Sequence, residues 1–75
     1  MSMNEAIRIL MVKRGTISAA KLAGMIGYSP QRFGDKMKRE SFTDEELAKI
    51  AEAVGCEYKA VKVFKIPETG EEIAI

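Results

Sequence analysis

A chain of 75 residues is enough for one small domain and buries only a modest share of its surface, so efficient helix packing or a second subunit must cover the rest. Its 47% hydrophobic and 31% charged residues exclude a disordered tail. No apolar run approaches the roughly 20 residues of a membrane span, and Asn4, Glu5 and Arg8 interrupt the apolar core a signal peptide needs, so a cytoplasmic location is expected.

With no histidine and a single cysteine, Cys56, the chain excludes an intrachain disulfide, zinc sites and His-based acid–base catalysis. Cys56 follows a helix-ending glycine and reads as a small packed apolar residue. The net charge is only +1, yet residues 1–41 hold eight Lys or Arg against three acids while residues 42–75 hold four Lys against eight acids. Such polarity lets a basic face meet phosphates while the acidic half points away.

The first predicted helix covers residues 4–14, with Ile7, Leu10, Met11 and Arg14 at helical spacing, Asn4 as its N-cap and Gly15 as its stop. Ser18 caps a second, about two-turn helix with Leu22, Met25 and Ile26 on one face, ended by Gly27. Ser29 caps a third with Pro30 at its first position, where the missing N–H is no loss. That helix runs to Arg39 or Glu40 and buries Phe33 and Met37, stacked four residues apart. Thr43 and Glu46 form a capping box for a fourth helix over residues 43–54, with Leu47, Ile50, Ala51 and Val54 inward and Gly55 as the stop.

The last twenty residues change character. "EYKAVKVFKI" is rich in β-branched and aromatic types, "PETG" is a turn and "EEIAI" a second extended run, which together predict a β-hairpin. With residues 67–70 as the loop, Ile66 faces Glu71, Lys65 faces Glu72, Phe64 faces Ile73 and Val63 faces Ala74, pairing charge with charge and apolar with apolar. A lone hairpin is marginal in water, so this one must pack on the helices or extend a sheet to another subunit. The organisation is therefore residues 1–55 as a helical domain and residues 56–75 as a β-hairpin extension. Met11, Met25 and Met37 read as core filler, and Tyr28 in the turn as a cover over the core in preference to a phosphate donor.

Two short helices joined by a glycine turn form the helix-turn-helix pattern. Ala23 lets the helices cross closely, Gly27 makes the turn and Phe33 locks the second helix on the first. In "AIRILMVKRG", "ISAAKLAGMIGYSPQRF" and "TDEELAKIAEAVGC" the chain resembles the lambda-repressor-like helix-turn-helix family, the Cro/C1 or xenobiotic-response-element type. The resemblance covers about residues 4–55 and implies a mainly α, four- to five-helix domain, usually dimeric on DNA, whose second motif helix lies in the major groove. The C-terminal hairpin is similar to strand additions that some small Cro-type proteins use to dimerise. Two positions depart from the pattern: Lys36 stands where an apolar residue is common, with Met37 taking its place, and Ala19 stands where many members carry a phosphate-fixing glutamine.

With Phe33 and Met37 inward and about 100° per residue, Gln31, Asp35 and Lys38 point outward, flanked by Arg32, Gly34 and Arg39. Gln31 is the leading base reader, since its amide pairs bidentately with adenine from the first helical turn. Arg32 suits guanine or a phosphate, and Asp35 either accepts from a cytosine amino group or holds Arg32, Lys38 or Arg39 in place. Expected phosphate contacts are Ser18, Lys21, Ser29, Lys36, Lys38, Arg39 and Ser41. The expected function is a sequence-specific DNA-binding transcriptional regulator that places helix 29–40 in the major groove of double-stranded DNA and dimerises through its hairpin. The rival reading keeps the scaffold as a protein-interaction module, an antirepressor or assembly subunit, without DNA binding. Neither reading calls for catalysis, a metal, a cofactor, a small-molecule ligand or a membrane.

Overall fold

The computed structural model describes residues 1–59 and 62–75. Four helices, α1 (Met3–Lys13), α2 (Ala19–Met25), α3 (Pro30–Arg39) and α4 (Asp44–Ala53), precede three short strands, β1 (Glu57–Lys59), β2 (Val63–Lys65) and β3 (Glu72–Ala74). Each helix starts on a hydroxyl side chain in extended backbone, where Ser2, Ser18, Ser29 and Thr43 accept from the N–H three residues on. Each cap satisfies one of the donors that a helix start leaves open, a gain of about 1 kcal/mol over alanine.

The expected cap at Asn4 is corrected: Ser2 caps α1, and Asn4 sits in its first turn. There its backbone N–H donates to Glu40 Oε1 at 3.0 Å and its Nδ2 to the Met37 carbonyl at 3.1 Å, tying the start of α1 to the end of α3.

One hydrophobic core runs through all the elements. Ile7 and Leu10, Leu22 and Ala23, Phe33 and Met37, and Leu47, Ile50 and Ala51 supply the helical side, while Cys56, Phe64, Ile66 and Ile73 supply the sheet side. Phe33 and Phe64 are fully buried, and the Phe33 ring lies 5.3 Å from that of Phe42. Burying each large apolar side chain is worth about 1.5–3 kcal/mol, so these residues dominate the stability of so small a chain. Cys56 packs here as an apolar residue, and burial pushes its thiol pKa up while nearby Arg14 partly opposes the shift.

Met25 is a correction, being 46% exposed. Leu22, Ala23 and Ile26 define the inward arc of α2, and Met25 falls roughly 110° from its centre at about 100° per residue.

The expected hairpin is also corrected, to three antiparallel strands in the order β1-β2-β3. The run over residues 57–66 does not form one strand: Lys62 takes φ 60 and its N–H donates to the Lys59 carbonyl at 2.9 Å, turning the chain. Ala60 and Val61, midway along that expected strand, lie outside the described residues. The second hairpin has the expected register, with Val63 opposite Ala74, Phe64 opposite Ile73 and Lys65 opposite Glu72. The Ile66 N–H donates to the Glu71 carbonyl at 2.9 Å. Glu72 forms its salt bridge with Lys59 at 2.9 Å, however, and not with the facing Lys65.

Two further salt bridges, Lys13 to Glu71 and Arg14 to Glu68, clip the end of α1 to the β2–β3 turn. Arg14 Nε also donates to the Val54 carbonyl at 2.8 Å, joining α1 to the end of α4. No helix among the described residues is long and apolar enough to cross a membrane.

Candidate nucleic-acid interface

The candidate site depends on how α2 hands the chain to α3. After Ile26, Gly27 adopts φ 78, a left-handed conformation that glycine enters without a Cβ penalty. The Tyr28 N–H then donates back to the Ala23 carbonyl at 2.8 Å and the Gly27 N–H to the Gly24 carbonyl at 3.2 Å. This paired closure satisfies the last carbonyls of α2. Ser29 and Pro30 start α3 at once, so a four-residue link turns the chain, and buried Ala23 and Phe33 pack the two helices together.

The surface that α3 leaves outside is polar. Gln31, Arg32, Asp35, Lys38 and Arg39 are exposed, and no heavy atom lies within 4 Å of where a Cβ on Gly34 would sit. Seven of the expected contact residues surround one shallow depression of about 370 Å³: Gln31, Arg32 and Asp35, with Ser29, Lys36, Arg39 and Ser41 around them. The other three lie apart. Ser18 and Lys21 belong to the start of α2, and Lys38 borders a second depression of about 390 Å³ whose far wall carries Arg8.

The hydroxyls of Ser18 and Ser29 already accept from the Lys21 and Arg32 N–H groups, each at 3.1 Å, so their first task is capping. The guanidinium of Arg32 stacks on the Tyr28 ring, 4.1 Å from its centroid. No salt bridge among the described residues joins Asp35 to Arg32, Lys38 or Arg39, so of its two expected roles the holding one has no counterpart here.

Behind this face sits Glu46, only 8% exposed. Its Oε1 accepts from Lys36 Nζ at 3.1 Å and from the Thr43 N–H at 2.9 Å, while its Oε2 accepts from the Tyr28 hydroxyl. Burial alone would raise its pKa; the bonds from Tyr28, Thr43 and Lys36 outweigh burial and hold it at about 2. The same bond to Glu46, with burial behind it, raises the Tyr28 pKa.

Sequence reasoning missed two participants. Arg8 carried no local signal, because its sharing a depression with Lys38 depends on how α1 crosses α3. Glu46 was read only as half of a capping box, since its other partners, Tyr28 and Lys36, lie 18 and 10 residues away. No group of three or more Cys, Asp and Glu side chains among the described residues is placed to hold a metal ion. No protein-family model, curated protein or solved structure matches the chain.

Proposed function

We propose that the chain is a sequence-specific DNA-binding transcriptional regulator of the lambda-repressor-like helix-turn-helix kind, acting without catalysis and inserting α3 into the major groove. The observation that carries this reading is the outer surface of α3, where Gln31, Arg32 and Arg39 are exposed around one depression and Lys38 is exposed without an acidic partner among the described residues. Lys13 and Arg14 are paired with acids of the β2–β3 turn and Lys59 with Glu72, whereas Lys21, Lys38 and Arg39, like Lys49, Lys62 and Lys65 elsewhere, enter no salt bridge among the described residues. Lys21, Lys38 and Arg39 are thereby left exposed on α2 and α3 for a phosphate partner.

In this reading Gln31 and Arg32 face base edges, with Asp35 beside a cytosine amino group, and Lys21, Lys38 and Arg39 meet phosphates. Three phosphate contacts per chain predict that log K falls against log salt with a slope of about −2.7 on random duplex. Anisotropy with a labelled random duplex between 50 and 200 mM salt tests this; no binding at the low end would sink the proposal.

Dimerisation belongs to the same proposal, through the open edge of β3. The bonds from the Ile66 N–H to the Glu71 carbonyl and from the Ile75 N–H to the Lys62 carbonyl turn residues 71, 73 and 75 towards β2. The peptide groups of Glu72 and Ala74 therefore point off the sheet, where a second copy can pair. Ala74→Pro removes one such N–H and should sediment as a folded monomer where the parent is a dimer. The same open edge is what favours the rival reading, a partner protein's strand adding to β3 with no role for DNA. Binding to duplex DNA at low salt separates the two.

A further inference from the structure

We propose that Glu46 is a positioning residue that withholds Lys36 from DNA, so that Lys38 and Arg39 carry the phosphate contacts of α3. The proposal deepens the DNA-binding reading and rests on it for the effect on DNA, though not for the pairing itself.

A capping box needs only the reciprocal bonds between Thr43 and Glu46, at 2.9 and 3.1 Å. The Glu46 carboxylate takes two donors more, one from the α2–α3 turn and one from α3 itself. Lys36 reaches inward for this bond and keeps only 22% of its side chain exposed, against 10% for Glu46. The pair thus sits largely out of water, and beside the bonds from Tyr28 and Thr43 the Lys36 ammonium is the cation that balances the Glu46 charge. A phosphate would offer Lys36 a solvated, salt-screened partner and would leave the Glu46 carboxylate buried with its cation gone. Lys36 therefore stays inward when a duplex arrives, although it borders the same depression as Gln31 and Arg39. Lys38, about 200° further round α3, enters no salt bridge among the described residues and has no such constraint.

Two measurements test this, and the first uses no DNA. In competitive lysine acylation of the intact chain read by mass spectrometry, Lys36 should react about tenfold slower than Lys38, the factor a charge-assisted hydrogen bond imposes on a free amine. Glu46→Gln, which keeps a carbonyl oxygen for the Thr43 N–H and can donate its amide N–H to the Tyr28 hydroxyl oxygen, should bring Lys36 to the Lys38 rate. Equal rates in the parent chain overturn the proposal.

The second measurement is the salt slope on random duplex. Lys36→Met should leave it unchanged, Lys38→Met should reduce its magnitude by about 0.9, and Glu46→Gln, by freeing Lys36, should increase it by about 0.9. A reduction of about 0.9 in Lys36→Met would overturn the withholding of Lys36, and this variant serves even where Glu46→Gln does not fold. Absence of any duplex binding alongside a shielded Lys36 would remove the DNA reading and the role of Glu46 in it, leaving only the ion pair.

Discussion

Acid should destabilise this protein in good part through Glu46. Glu46 has its pKa lowered from an ordinary 4.5 to about 2, because the bonds from Tyr28, Thr43 and Lys36 favour its charged form more than burial disfavours it. Between those values the unfolded chain binds a proton that the folded chain does not, so stability rises with pH across the window. The contribution is fully present above about pH 5 and is lost as pH falls towards about 2; a shift of this size corresponds to about 3 kcal/mol. A 75-residue domain has of order 4–11 kcal/mol in total, so the loss is a large fraction of its stability. Urea melts followed by circular dichroism at intervals from pH 6 to pH 2.5 measure it. With a slope of about 1 kcal/mol per molar urea, the parent midpoint should fall by about 2–3 M. Glu46→Gln has no carboxyl to titrate, so it should start lower at pH 6 and lose much less on acidification. If both chains lost the same stability over this range, Glu46 would not be the group responsible and the account of its bonding would be wrong.

Three substitutions probe the frame that presents α3. Phe33→Ala empties a fully buried position between α2 and α3 and should cost about 3–5 kcal/mol by thermal or chemical melting. Gly27→Ala meets no heavy atom within 4 Å but must hold φ 78, so a loss of about 1–2 kcal/mol, from backbone conformation alone, is expected. Gly34→Ala lies in the exposed interior of α3 with open space around its Cβ and should instead stabilise by about 1 kcal/mol, raising Tm by about 4–8 °C. If DNA backbone approaches Gly34 closely, the same variant binds duplex more weakly despite its higher Tm; unchanged affinity would place the backbone elsewhere.

Much of the frame was legible because its signals are local. Ser18, Ser29 with Pro30, and Thr43 with Glu46 mark three helix starts within a turn of sequence, and Gly27 and Gly55 mark two ends. The β2–β3 register followed from matching apolar and charged positions across a short loop. The misses share a different cause. Ser2 and Asn4 are both competent caps, and the choice between them is made by Met37 and Glu40, more than thirty residues away. The turn at Lys62 has no glycine or asparagine to announce its positive φ, so a β-rich run read as one strand. At the candidate site, the periodicity of α3 correctly set Phe33 and Met37 inward and Gln31, Asp35 and Lys38 outward. It gave no hint that Lys36 turns back to Glu46 or that Arg32 lies on Tyr28, since side-chain direction there is settled by α4 and the preceding turn.

Binding of duplex DNA by the outer face of α3, as proposed, can be followed residue by residue in an amide NMR titration of the chain with a short duplex. Fast, salt-sensitive shifts should be confined to Ser18, Lys21 and residues 29–41, with Gln31 and Arg32 among the largest and the strands near Glu57 and Glu72 unmoved. Shifts that map to β3 while α3 stays silent, or none at all at low salt, would contradict it.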